Sequence, residues 1–148
     1  MTINYKPAGY PDVVPYLLVP DVAAQIAFLK TVFGATTKEE VRVEDGEVRH
    51  GEVQLGDSVI MMGKASAEWA ATPASVYVYV KDTDAAYRRA LDLGATSLME
   101  PADQFYGDRN AGVKDAAGNS WWISTHIEDV SSEELERRAQ ERWKNEGR

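Results

Sequence analysis

The sequence predicts an α+β domain of two βαβββ modules, each a mixed four-stranded sheet with one helix, followed by a C-terminal helix. Three observations carry this. Tyr16-Leu17-Leu18-Val19-Pro20-Asp21 and Tyr77-Val78-Tyr79-Val80-Lys81-Asp82 open two halves 61 residues apart (16 to 77). Each opening leads into a helical pattern that closes on Gly34-Ala35-Thr36 or Gly94-Ala95-Thr96. Each half then holds a turn running into an apolar strand, Gly56-Asp57-Ser58-Val59-Ile60-Met61 and Gly118-Asn119-Ser120-Trp121-Trp122-Ile123. Two such copies are no solenoid, which stacks three or more short repeats.

The first module spans about 13–63. A short apolar strand opens it, and Asp21 then offers a carboxylate to the free N–H groups of a first helical turn. Val22, Ile26, Leu29 and Phe33 recur at helical spacing, and Gly34 suits a left-handed helix stop. Three strands follow at about 37–43, 48–55 and 58–62, joined by Glu44-Asp45-Gly46 and Gly56-Asp57. Residues 64–74 read as the link. The second module, about 75–126, repeats the plan, with Asp82 as cap and Ala86, Ala90 and Leu93 on the helix. Its middle, 97–109, reads as long and loose, before strands near 111–115 and 119–125. Ser131-Ser132-Glu133-Glu134 is a capping-box pattern that starts a last helix over about 131–146. Leu135, Ala139 and Trp143 share one face of it, which is expected to dock on the body or on a partner.

Composition narrows the function. The chain has 148 residues, 44% of them hydrophobic and 27% charged, which suits one folded domain with a sizeable core. It has no cysteine, so disulfides, thiolate metal sites and thiol nucleophiles are excluded. A net charge of −8 argues against a nucleic-acid binder and against docking on anionic membranes. It favours neutral or cationic ligands over polyanions. No apolar run is long enough to span a bilayer and no leader pattern is visible, so a cytoplasmic protein is the expectation.

Strand alternation sorts the faces. Val76, Val78 and Val80 form an apolar face suited to lie under a helix, opposite Ser75, Tyr77 and Tyr79. In the last strand Trp121 and Ile123 oppose Ser120, Trp122 and Ser124, and in the first Leu17 and Val19 oppose Tyr16 and Leu18. Each module therefore offers an open face carrying Tyr or Trp, and two such sheets curving together would form an aromatic-lined cleft. Equally, these rings can be core packed between the sheets. His50 and Glu52 share a strand face: a polar anchor or acid–base pair on one reading, a solvated salt-bridging face beside Arg49 and Glu47 on the other. Arg109, beside Tyr106 in a loop, either reads an anionic or carbonyl-bearing ligand or pairs with Asp108 to pin that loop. His126 reads as a surface or capping residue.

With Pro15-Tyr16-Leu17 opening, Ala27-Phe28-Leu29 and Val32-Phe33-Gly34-Ala35 in the helix, and Gly56–Met61 closing, the chain resembles the vicinal oxygen chelate superfamily, the glyoxalase, bleomycin-resistance and dioxygenase group. Gln104-Phe105-Tyr106-Gly107-Asp108-Arg109, Val113–Asn119 with Trp121, and Ser124–Ser131 are similar to its PhnB-like branch. The resemblance covers about residues 13–135. It implies a homodimer. It also implies four metal-ligand positions, His or Glu in metal-using members, which fall here on Val14, Ile60, Ser75 and Trp122. None offers an imidazole or carboxylate, and two ligands at His50 and Glu52 are fewer than the three protein ligands of a usual catalytic site. Neither metal nor cofactor is expected. The reading that follows is a metal-free binder of an aromatic or amphipathic small molecule, contacted by Tyr16, Ser75, Tyr77, Tyr79, Tyr106, Arg109 and Trp122. The alternatives are a glyoxalase-like lyase, isomerase or dioxygenase with a non-standard site around His50 and Glu52, and a structural or regulatory dimer with a vestigial cleft.

Overall fold

A computed structural model describes residues 2–146. The chain divides into two compact units, residues 1–74 with 115–119, and 75–114 with 120–148.

In the first unit β1 (Tyr16–Val19), β4 (Ser58–Lys64), β3 (Val48–Leu55) and β2 (Thr36–Arg42) lie side by side in that order, β1 parallel to β4 and the rest antiparallel. Helix α1 (Val22–Phe33) starts where Asp21 accepts a hydrogen bond from the Ala24 amide at 3.0 Å, and stops at Gly34 with φ +71°. Val22, Ile26, Leu29 and Val32 of α1 are buried, as are Leu17, Val19, Val53, Ile60 and Met62 of the sheet. Gly51 lets α1 sit close, since a Cβ there would lie 2.6 Å from Ile26 Cδ1. The turn Asp115–Asn119 belongs to this unit. Its buried Asp115 accepts from the Ala117 and Asn119 amides and from the Gln25 side chain, at 2.9–3.0 Å.

The second unit repeats the plan with β5 (Ser75–Tyr79), β8 (Ser120–His126), β7 (Asp108–Lys114) and β6 (Thr96–Asp103). Helix α2 (Thr83–Asp92) is capped by Asp82, which accepts from the Ala85 amide at 3.0 Å. It packs on β6, β7 and β8, over buried Val78, Ala111, Val113, Trp121 and Ile123. Tyr77 and Tyr79 stand on the other face, 43% and 61% exposed, as the alternation requires.

Two elements differ from the sequence reading. The segment expected to be loose is mostly the edge strand β6, with two register shifts. Pro101 is tolerated there because an edge strand has one side without ladder partners. A tight turn, closed by Gly107 N–H to Gln104 O at 3.2 Å, then leads into β7, so Asp108 and Arg109 are strand residues. Helix α3 (Ser132–Glu146) starts at Ser131, whose hydroxyl accepts from the Glu134 amide. No side chain of α3 is buried and Trp143 is 62% exposed. The helix is instead tied down by Arg138, which donates to Phe105 O at 3.0 Å and pairs with Glu128 and Glu134, and by Arg142 over the Phe105 ring.

Candidate functional site

On the open face of the second unit, pairing places Tyr77 beside Trp122 and Tyr79 beside Ser124, with Gly112 and Asn110 on the far side of Trp122 and Ser124. His126 pairs with Asp108 one step further on. The Trp122 ring lies where a side chain at 112 would stand, and its indole N–H donates to Ser75 Oγ at 2.9 Å. Asn110, buried beneath, donates to Ser124.

Asp108 organises this face. The residue is 4% exposed, and its carboxylate accepts from Tyr77 Oη at 2.6 Å and Tyr79 Oη at 2.9 Å. His126 Nδ1 lies 2.9 Å from its other oxygen, and His126 Nε2 lies 2.7 Å from Asp129. Burial works to raise the Asp108 carboxyl, but the bonds from Tyr77, His126 and Tyr79 outweigh it and hold the group below the usual carboxylate range. Asp108, and then Asp129, raise His126 above the ordinary histidine value. Tyr106 is pushed up to about 12, by burial first and then by its bond to Tyr77. The result is an aromatic surface of phenol, imidazole and indole groups around one fixed carboxylate.

The first unit carries a second polar group. Glu52, 7% exposed, accepts from the Tyr10 phenol, and its other oxygen lies 2.8 Å from His50 Nε2. Burial raises the Glu52 carboxyl, yet the His50 and Tyr10 bonds together hold it below its usual value. Tyr10 is pushed up to about 12, chiefly by its bond to Glu52. Tyr16 tilts over His50 with ring centres 6.0 Å apart and covers Gly63.

Tyr16, His50 and Glu52 thus belong to the first unit. Ser75, Tyr77, Tyr79, Tyr106 and Trp122 are gathered on the second. Arg109 is not among them. It points to the α2 side of β7, where its guanidinium is engaged by Asp84 at 2.7 and 2.9 Å and by Asp103 at 2.9 Å. Its backbone carbonyl accepts from Thr83 on the same helix. Neighbours in a strand point to opposite faces, so Asp108 and Arg109 neither pair nor share a site. Sequence reasoning missed His126 and Tyr10. Counting in twos from Trp122 through Ser124 reaches His126, a signal that was present. Tyr10 lies 42 residues from Glu52 in an aperiodic segment and gave none.

The donor positions implied by the family resemblance also shift. Tyr16 pairs with Met61 as Tyr77 pairs with Trp122, so the partner position of Trp122 is Met61 and not Ile60. Val14, Met61, Ser75 and Trp122 supply no imidazole or carboxylate, so this set does not fit a catalytic divalent metal. Among the described residues no group of three or more His, Asp or Glu is placed to hold a metal ion.

Comparison with known proteins agrees with this architecture. The model of the Glyoxalase/Bleomycin resistance protein/Dioxygenase superfamily matches residues 12–123. An uncharacterised protein of Mycobacterium bovis is 30% identical over 147 residues, spanning 92% of this chain and 94% of its own. An uncharacterised protein of Mycobacterium tuberculosis is also 30% identical, over 92% of this chain and 84% of its own. Among solved structures, TioX from Micromonospora sp. ML1 superposes with a TM-score of 0.67 at 24% identity, covering 79% of this chain and 99% of that one. A glyoxalase/bleomycin resistance protein/dioxygenase family enzyme from Burkholderia phytofirmans PsJN gives 0.64 at 20%, covering 77% and 97%. Likeness at these identities speaks for the fold alone. On the match over residues 12–123, the chain belongs to the Glyoxalase/Bleomycin resistance protein/Dioxygenase superfamily.

Proposed function

We propose that this protein binds a small aromatic or amphipathic molecule without a metal, in the manner of a bleomycin-resistance type protein rather than a metalloenzyme. The surface taking it is the open face of the second unit, with Tyr77, Tyr79, Tyr106, Trp122 and Ser75 as contacts. Tyr16 belongs to the first unit and is no part of that face. One observation carries the reading. At the four positions that the family resemblance implies for metal ligands stand Val14, Met61, Ser75 and Trp122, none with an imidazole or carboxylate, while phenol and indole groups stand on the solvent side of the sheet. Rings with an apolar body and a polar tip suit flat, partly polar ligands. Arg109, held by two aspartates on the other face, has no part in it.

Kinship to the PhnB-like branch, resting on Gln104–Arg109 and Ser124–Ser131, and assembly as a homodimer belong to the same reading. A second reading, an enzyme of the lyase, isomerase or dioxygenase kind, is favoured by one observation: buried Glu52 bound by both His50 and Tyr10 is an arrangement that acid–base catalysis uses. The test is metal analysis of protein purified without chelator, followed by a thermal-shift screen of small aromatic compounds. Stabilising hits on metal-free protein are expected. One equivalent of metal bound at His50 would overturn the proposal in favour of the enzyme.

A further inference from the structure

We infer that His126, held by Asp108 at the edge of the tyrosine face, is a carboxylate-reading position, so that this face takes flat aromatic acids with the carboxylate on Nε2 in place of Asp129. The inference rests on the proposal that this face binds ligand, and names the ligand class. The two ring nitrogens of His126 are unequally held. Nδ1 lies 2.9 Å from Asp108, a buried carboxylate that both Tyr77 and Tyr79 also bind, so this side of the ring is fixed. Nε2 lies 2.7 Å from Asp129, whose side chain is fully exposed in the stretch between β8 and α3. Among the described residues Asp129 makes no other side-chain bond, and little holds it in place. An imidazolium held through one N–H by a carboxylate presents the other N–H as a directed donor. A carboxylate already sits on that donor, which shows the acceptor it fits.

The groups that meet the His126 ring are Asp108 from β7 and Asp129 from the stretch after β8. Tyr77 and Tyr79 from β5 bind the same Asp108, and Tyr106 from the turn before β7 bonds Tyr77. Glu128, the other acid nearby, is engaged by Arg138 at 2.9 Å. The imidazolium, favoured by its two carboxylates, is thus the cation presented by this group. Tyr77 and Tyr79 beside it meet edge to face, ring centres 5.4 Å apart, with 43% and 61% of each residue open to solvent. An aromatic body can rest on these rings while its carboxylate reaches Nε2. The overall charge of −8 still disfavours polyanions. A single carboxylate at hydrogen-bond distance feels the local donor, because more distant charges are screened beyond about 8–10 Å.

The test compares 2-naphthoate with 2-naphthamide, the same ring system with and without charge, by calorimetric titration. Ring-nitrogen NMR of His126 follows the same samples. The acid should bind about tenfold tighter than the amide, as a charge-assisted hydrogen bond implies. Its addition should move the His126 Nε2 resonance. Asp129→Asn, which removes the competing carboxylate at an exposed site, should widen the preference several-fold. His126→Gln should abolish it, as should raising the pH through the His126 titration measured in the same spectra. Equal affinity for acid and amide would overturn the inference and leave the aromatic face standing as a binding surface. Binding of neither would overturn it together with the claim that this face takes flat aromatics.

Discussion

Gly107 lies between Tyr106 and Asp108, and its replacement by alanine tests how the open face of the second unit is built. Its φ is +101°, a region that L side chains rarely adopt. A Cβ there would collide with the carbonyl oxygen of Glu128 and lie 3.1 Å from Val130 Cγ2. The obstacle is backbone, and it is fixed: Gly107 O accepts from the Ile127 and Glu128 amides at 2.8 and 3.1 Å. Left-handed strain costs about 1–2 kcal/mol and forced overpacking about 1–3 kcal/mol, so Gly107→Ala should lose about 2–5 kcal/mol. In a domain of this size that lowers Tm by about 5–15 °C. Gly46 provides the control, with φ +87° and nothing within 4 Å of an added Cβ. Gly46→Ala should show the strain alone, about 1–2 kcal/mol. Urea and thermal unfolding followed by circular dichroism measure both. If Gly107→Ala is no worse than Gly46→Ala, the Glu128 carbonyl is not fixed against Gly107 as described.

Three further outcomes are expected. Asp108→Asn should lower the phenol pKa values of Tyr79 and Tyr77 toward the ordinary 10.0, because both are raised with Asp108 among the causes, for Tyr77 after burial; an ultraviolet pH titration reads this. Stability should fall on both sides of a middle pH range. The His126 contribution is complete below its ordinary 6.5 and fades as pH rises through its raised value, while that of Asp108 is complete above its ordinary 3.8 and fades as pH falls through its lowered value. Urea midpoints across pH measure this, and His126→Gln should flatten the alkaline side and also weaken the acid side, because His126 is among the groups that hold Asp108 low. Sedimentation at micromolar concentration should give about twice the 16.4 kDa of one chain, and a mass near one chain would contradict the proposed homodimer.

The repeat and the period-two alternation made the modules and their open faces readable, because burial on one face leaves a strong pattern in β1, β5 and β8. The pattern failed where it is physically interrupted. In β6 the two register shifts and Pro101 break the alternation, so a strand read as a loop and Asp108-Arg109 were assigned to it. A loop leaves the Arg109 side chain free to turn toward the tyrosines, whereas β7 directs it to Asp84 on α2. The shift from Ile60 to Met61 has a similar origin. Matching the turn glycines, Gly56 with Gly118, gives an offset of 62, while the strand partners differ by 61, because the two turns differ in length. Tyr10 and Glu52 meet only through the fold, and no local pattern announces such a pair.

The central claim, that the open face of the second unit binds a flat small molecule without metal, is tested most directly by one titration. A hit from the aromatic screen is titrated into chelator-treated protein, wild type and Trp122→Ala, with circular dichroism confirming that both are folded. The account predicts an affinity unaffected by chelation and weakened roughly tenfold or more by Trp122→Ala, from lost ring contact and lost burial. Equal affinity for the two proteins, or binding that vanishes on chelation and returns with a divalent metal, would contradict it.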